Sequence, residues 1–163
     1  MIDLLTEEYD KGFHTGLSVG APWLVYHQEA IQLHSGGWSH FEVRGDIMFA
    51  NEPLRASVLD CWMRAIKWWY TDSAQPRVYG VPRGGTPWAE ALAERLGVEP
   101  LSTYQVADDA GPTFIVDDVT TTGKSLKSYP EPKLVVVRRG EVQVAACWAD
   151  MMWLPVFKEK PVS

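Results

Sequence analysis

The sequence predicts an α/β protein whose core is a mainly parallel sheet covered by helices. Three observations carry that prediction. From residue 77 onward, short apolar runs alternate with glycine-rich turns and helix-patterned segments, the order that builds parallel sheets. Runs such as Leu134–Val137 are apolar at every position, as strands buried on both faces are. The 163 residues are 46% hydrophobic and 22% charged, which suits one compact globular domain with a proper core. No internal repeat, low-complexity tract or long linker divides the chain, so 1–163 is read as a single domain.

The elements follow in order. The first 20 residues read as a polar, partly helical lead-in. Residues 29–43 are two alternating runs around Ser35-Gly36-Gly37, a hairpin pattern. Residues 54–70 place Leu54, Val58, Trp62, Ala65, Ile66 and Trp69 at helical spacing. A short strand at 77–81 enters the turn Pro82-Arg83-Gly84-Gly85. A helix over 86–97 follows, with Pro87 in its first turn and Gly97 closing it. Leu101–Tyr104 and Thr113–Val116 read as the next strands, the latter running into Asp117-Asp118. A short helix is expected from Gly123 to just before Pro130. Residues 133–139 and 142–149 finish the chain as strands.

Charge and composition exclude several classes. A net charge of −6 argues against nucleic-acid or membrane-surface binding, which needs a basic face. Cys61 and Cys147 lie in apolar stretches and suggest no disulfide framework. The opening residues lack the basic region and apolar run of a signal peptide, and no stretch approaches the length of a membrane span. A cytoplasmic protein is the expectation. Most of the eight Trp are read as core or interface packing.

The chemistry concentrates in "FIVDDVTTTGKSL", residues 114–126. Gly123-Lys124-Ser125 invites comparison with a nucleotide-hydrolysing P-loop, but that loop needs a glycine at 118, where Asp118 stands. What remains is a buried strand, two acids, a threonine-rich turn and a glycine. Amides from Thr121 to Ser125 can converge on an anion, hydroxyls add donors, and Gly123 permits positive φ. Two carboxylates beside such a cradle would repel a polyphosphate. They make sense if the phosphate is attached to a sugar whose hydroxyls they accept. The bland alternative is an ordinary turn with a solvated Asp pair.

This stretch resembles the phosphoribosyl pyrophosphate (PRPP) motif of type I phosphoribosyltransferases, in which apolar residues, Asp-Asp, two apolar residues and Thr-Thr-Gly-x-Ser follow in order. Thr113 and Thr120 stand where apolar residues are usual. The resemblance implies a Rossmann-like sheet of about five strands flanked by helices, a core over roughly 54–150 and a small N-terminal hood over roughly 29–49. It implies that Thr121, Thr122, Gly123, Lys124 and Ser125 hold the 5′-phosphate, with Lys124 at the variable position. Asp117 and Asp118 would face the ribose hydroxyls and stabilise positive charge at C1′, meeting Mg²⁺ indirectly through ribose or water. Val81-Pro82-Arg83-Gly84-Gly85 resembles the family's pyrophosphate turn. Pro82, Arg83, Gly84 and Gly85 would then hold pyrophosphate, with a cis bond expected at Pro82–Arg83.

The acceptor side is read the same way. Residues 31–46 are similar to the hood of orotate phosphoribosyltransferases at Leu33, Ser35, Gly36, Ser39 and Phe41, with His34 in place of the usual lysine. A plain hairpin explains the pattern equally well. His34, Ser35 and Phe41 are the hood's candidate base contacts. Arg138 or Arg139 would reach an orotate carboxylate, whereas Trp153 would stack on a purine, as in xanthine-guanine-type enzymes. Orotate is the preferred base and a purine the alternative. The interval 102–113 is short and acidic where the family carries a long basic lid. The resemblance therefore leaves two implications open: a transferase using Mg²⁺, PRPP and a nucleobase, in a homodimer, or a PRPP- or nucleotide-binding regulatory module.

Overall fold

The computed structural model describes residues 22–69, 75–105 and 111–162. The lead-in expected over the first 20 residues lies outside them. Strands β1 (Leu24–Gln32) and β2 (Trp38–Val43) form an antiparallel hairpin, paired from Leu24 with Val43 to Gln32 with Trp38. Its turn is closed by the Gly36 amide on the Leu33 carbonyl (2.9 Å), and Gly36 takes a φ of 93° that few other residues adopt. Helices α1 (Gly45–Ala50) and α2 (Glu52–Trp69) follow. α2 starts earlier than its apolar spacing suggests because the Asn51 side chain accepts the Leu54 amide (3.1 Å), a cap that satisfies an otherwise orphaned donor.

The core sheet is parallel, in the order β3 (Arg77–Gly80), β4 (Thr113–Thr120), β5 (Lys133–Arg138), β6 (Ala146–Asp150). Among the described residues it has four strands rather than about five. The strand expected over 101–104 is reduced to one bridge, Leu101 beside Tyr79, with the Leu101 amide on the Val78 carbonyl at 2.8 Å. α2 and α3 (Gly85–Leu96) cover one face, and α3 ends at left-handed Gly97 (φ 70°) as its sequence predicts. Val58, Trp62, Trp88, Leu92 and Phe114 are fully buried in that layer. Trp62 also donates its indole N–H to the Val135 carbonyl (3.1 Å), so Trp62→Ala is expected to cost about 3–5 kcal/mol.

The opposite face has a lighter cover. The helix expected after Gly123 is instead a run of turns over 124–128, with the Leu126 amide on Gly123 and the Tyr129 amide on Leu126. Pro130 biases Tyr129 away from helical geometry, and the stretch left between Gly123 and Pro130 is too short to repay helix nucleation. Leu126 fills the gap, and Tyr79, Tyr104 and Tyr129 pack edge-on or tilted over Ile115 and Val135. Residues 142–145, expected as strand, form a loop that folds Val142 against Gly123, so β6 begins only at Ala146.

The chain after β6 returns to the hairpin. Trp38 and Phe157 exchange backbone hydrogen bonds at 2.7 Å each, and Ser39 Oγ donates to the Pro155 carbonyl (2.7 Å). No described helix is long and apolar enough to cross a membrane.

Candidate functional site

A cleft of about 1360 Å³ opens at the C-terminal ends of β3, β4 and β5, beneath the hairpin and α1. This is where parallel sheets gather ligands, because the loops leaving neighbouring strands diverge there. β4 runs through Asp117 and Asp118 to Thr120, longer than its apolar run suggests. Successive strand residues project to opposite sides, so the two acids meet different walls of the cleft while their carboxyls stay near enough to interact. Asp117, only 6% exposed, lies toward the Ser125 hydroxyl, which donates to its Oδ2 at 3.3 Å. Asp118 lies toward Gly45 and Gly84, where a Cβ on either would stand 2.6 or 2.3 Å from its Oδ2. Each carboxylate also accepts the next backbone amide: Asp117 that of Asp118 (2.9 Å) and Asp118 that of Val119 (2.7 Å). Burial, and then the charge of Asp118, push the Asp117 carboxyl up to about 7.

Thr121, Thr122, Gly123, Lys124 and Ser125 all line the cleft beside this pair. The loop is shaped from below. Gly123 takes φ 73° over the Val142 side chain, and Gly140 approaches so closely that a Cβ there would fall 1.9 Å from the Thr121 carbonyl oxygen. The Arg139 amide on the Thr120 carbonyl (2.8 Å) ties the β5–β6 turn to the same loop.

Across the cleft, Pro82, Arg83 and Gly84 line the opposing wall, and the Pro82–Arg83 peptide bond is cis, at the expected position. Gly85 does not line the cleft. It packs on β4, where a Cβ would meet the Val116 carbonyl at 2.2 Å, so its missing side chain brings turn and strand together rather than facing a ligand.

The acceptor candidates divide. His34, Ser35 and Arg139 line the cleft. Arg139 is 4% exposed, and burial lowers its guanidinium to about 10. Its Nη1 donates to the Phe41 carbonyl (3.0 Å) and its Nη2 to Ser39 Oγ (2.9 Å). Phe41, Arg138 and Trp153 are not among the lining residues. Arg138, one strand position earlier, pairs with Asp150 and donates to the Val142 carbonyl (3.2 Å). Phe41 packs edge-on against Tyr26, and Trp153 sits half exposed beyond β6.

The structure adds residues that the sequence reading did not single out. Glu42, Arg44, Gly45 and Asp46 line the cleft where the hairpin passes into α1. Glu42 resists the upward push of its burial because His27 and Arg44 hydrogen-bond its carboxylate, each at 3.1 Å, and it stays below the ordinary glutamate value. The tripeptide Arg44-Gly45-Asp46 was the available signal: a glycine between two charges directly after a strand. Among the described residues, no cluster of three or more His, Cys, Asp or Glu side chains is placed to cage a metal ion.

No protein-family model matches the chain, and no curated protein matches it by sequence. Solved structures do. An orotate phosphoribosyltransferase from Aeropyrum pernix superposes with a TM-score of 0.62 at 25% identity, covering 81% of this chain and 90% of that one. The UMP synthase of Leishmania donovani gives 0.60 at 15% identity, over 90% of this chain and 36% of that much longer one. The orotate phosphoribosyltransferase of Mycobacterium tuberculosis H37Rv, solved with inorganic phosphate, gives 0.52 at 16% identity, over 81% and 91%. The chain therefore has the type I phosphoribosyltransferase fold, most like the orotate branch.

Proposed function

We propose that this chain transfers the ribose 5-phosphate unit of PRPP to a ring nitrogen of a nucleobase, releasing pyrophosphate and giving a nucleoside monophosphate. The observation that carries the reading is the meeting, in one cleft, of an acid pair, a phosphate-type loop and a glycine turn bearing Arg83. Backbone amides of Thr121–Ser125 hold the 5′-phosphate. Asp117 and Asp118 take the ribose hydroxyls, and Arg83 contacts pyrophosphate. The lone pair of the base nitrogen forms the new bond at C1′ as the C1′–oxygen bond breaks with inversion. The bonding pair leaves with pyrophosphate, and the proton on the attacking nitrogen goes to solvent. Positive charge growing on the sugar ring is stabilised by the adjacent carboxylates, and the rest of the acceleration comes from positioning.

The residues fit Mg²⁺ as an ion carried on the substrate. Asp117 and Asp118, which line the cleft beside the ribose position, are the residues that would meet the ion, indirectly through ribose or water. Bound there, Mg²⁺ would neutralise charge on the leaving group.

Orotate is the acceptor we favour. It carries a carboxylate, and Arg139 brings a buried positive charge to the cleft wall. Trp153, which would have supported a purine by stacking, lies outside the cleft. A regulatory module that binds PRPP or a nucleotide is the second reading, favoured by the short acidic stretch 102–113 in place of a basic lid. A cytoplasmic homodimer completes the proposal, and sedimentation reads the oligomeric state.

The test is a mass-spectrometric turnover assay with PRPP, Mg²⁺ and a mixture of orotate, uracil, adenine, guanine, hypoxanthine and xanthine. The transferase reading expects one new mononucleotide, orotidine 5′-monophosphate. PRPP retention without any nucleotide product selects the regulatory module.

A further inference from the structure

Ser39 is fully buried and is not among the residues that line the cleft. Its hydroxyl is nonetheless saturated: it donates to the Pro155 carbonyl (2.7 Å) and accepts from the Phe41 amide (3.0 Å) and Arg139 Nη2 (2.9 Å). A hydroxyl has one proton to give and two lone pairs, and all three are used. Three chain segments meet at this atom: the hairpin strand β2, the residue that follows β5 and the C-terminal tail.

Arg139 depends on this hub. It is 4% exposed, and among the described residues no carboxylate forms an ion pair with it. Its two described partners, the Phe41 carbonyl and the Ser39 hydroxyl, are neutral, and its Nε has no hydrogen-bond partner. A buried cation compensated only by neutral acceptors keeps most of its field, and in a low-dielectric wall that field reaches an occupant of the adjoining cleft. The guanidinium is also planar, so fixing both Nη atoms fixes the direction in which the charge is presented.

We propose that Ser39 is a positioning residue for acceptor recognition: acting through Arg139, it sets the buried charge that selects a base bearing an anionic substituent. This rests on the transferase reading above. Ser39 does not touch substrate. It holds the cation on the hairpin, so the placement of the hairpin and the preference for an anionic base become one property. The Pro155 contact extends the same control to the tail.

The experiment is calorimetric titration with two nucleotides that differ only by a carboxylate, orotidine and uridine 5′-monophosphate. Uridine monophosphate reads the phosphate loop, and the ratio between the two reads Arg139. Wild type is expected to prefer orotidine monophosphate by about tenfold or more, the range of a charge-assisted hydrogen bond. Ser39→Ala should erase most of that preference while uridine monophosphate affinity stays within about twofold. Ser39→Cys keeps the volume with a weaker acceptor and gives the same reading if the alanine variant folds poorly. A wild-type preference retained in both variants overturns the role of Ser39 and leaves the transferase reading standing. Equal wild-type binding of both nucleotides overturns the anionic-acceptor claim, again without touching the phosphate loop. If wild type binds neither nucleotide, the transferase reading falls, and the role of Ser39 falls with it.

Discussion

The backbone of Gly84 stands against the carboxylate of Asp118 so closely that a Cβ on it would lie 2.3 Å from Oδ2 and 2.5 Å from Oδ1. The glycine turn and the acid pair are thus in contact before any ligand arrives, and Gly45 presses on the same carboxylate from the hairpin side.

Gly84→Ala is the first prediction. The atom it displaces is the end of a side chain, so the fold survives while Asp118 moves. Displacement by about an ångström at a reacting centre costs up to about 10²-fold. Turnover should fall by one to two orders of magnitude, whereas the melting temperature should change little. Steady-state kinetics and a thermal melt on the same preparation check both halves.

Asp118→Asn separates binding from turnover. The amide keeps the shape and loses the charge that faces the developing cation. kcat should fall by about 10²–10³-fold, the usual cost of one electrostatic contact in a transition state. Uridine monophosphate affinity should stay within a few-fold. Equal losses in both would assign Asp118 to ground-state binding alone.

Asp117 gives a pH prediction. Its carboxyl is raised from 3.8 to about 7, so the folded state holds the proton more tightly than the unfolded chain. That contribution to stability is complete below about pH 4 and is lost as pH rises through 7. Asp117→Asn has no proton to lose. The melting temperature of the variant relative to wild type should therefore climb between pH 4 and pH 8. A difference that is flat or falls over that range contradicts the assignment.

Gly140→Ala attacks the phosphate loop from beneath. A Cβ there meets the Thr121 carbonyl at 1.9 Å, and backbone cannot yield as a side chain can. Overpacking of this kind costs about 1–3 kcal/mol, and the loop that yields is the one lining the cleft. Denaturant unfolding should show the loss, and uridine monophosphate affinity should drop together with it.

Arg138→Ala and Arg139→Ala should behave differently although they are neighbours. Arg138 is engaged with Asp150 away from the cleft, so its removal should leave KM for the base unchanged. Removal of Arg139 should raise that KM by about tenfold or more. Trp153→Ala should leave it unchanged.

The sequence exposed what short-range backbone chemistry dictates. Gly84, Gly85, Pro82 and Gly123 impose their geometry on the two or three residues around them, and so the turn and the loop after Asp118 were legible, whereas the cis bond at Pro82–Arg83 was expected only from the family resemblance. Which of Arg138 and Arg139 faces the cleft was not. That choice turns on the position at which β5 ends, and a shift of one residue reverses it. The short helix expected after Gly123 failed because Pro130 acts backward on Tyr129, a constraint that helix spacing does not display. Ser39 was visible as a matched hood position, but its link to Arg139 was not, since its partners Arg139 and Pro155 come from far along the chain.

The closure of the tail on the hairpin has a bearing on how the molecule is made. Ser39 and Pro155 are 116 residues apart in sequence, and the bridge from Trp38 to Phe157 spans still more. During synthesis the hairpin emerges early, but its pairing with Phe157 and its Ser39–Pro155 bond wait for the segment beyond β6. The wall that carries the buried charge is therefore assembled last. A chain cut between Asp150 and Phe157 would keep the strands of its sheet yet lack the segment that closes on the hairpin, so the site is completed later than the fold that carries it.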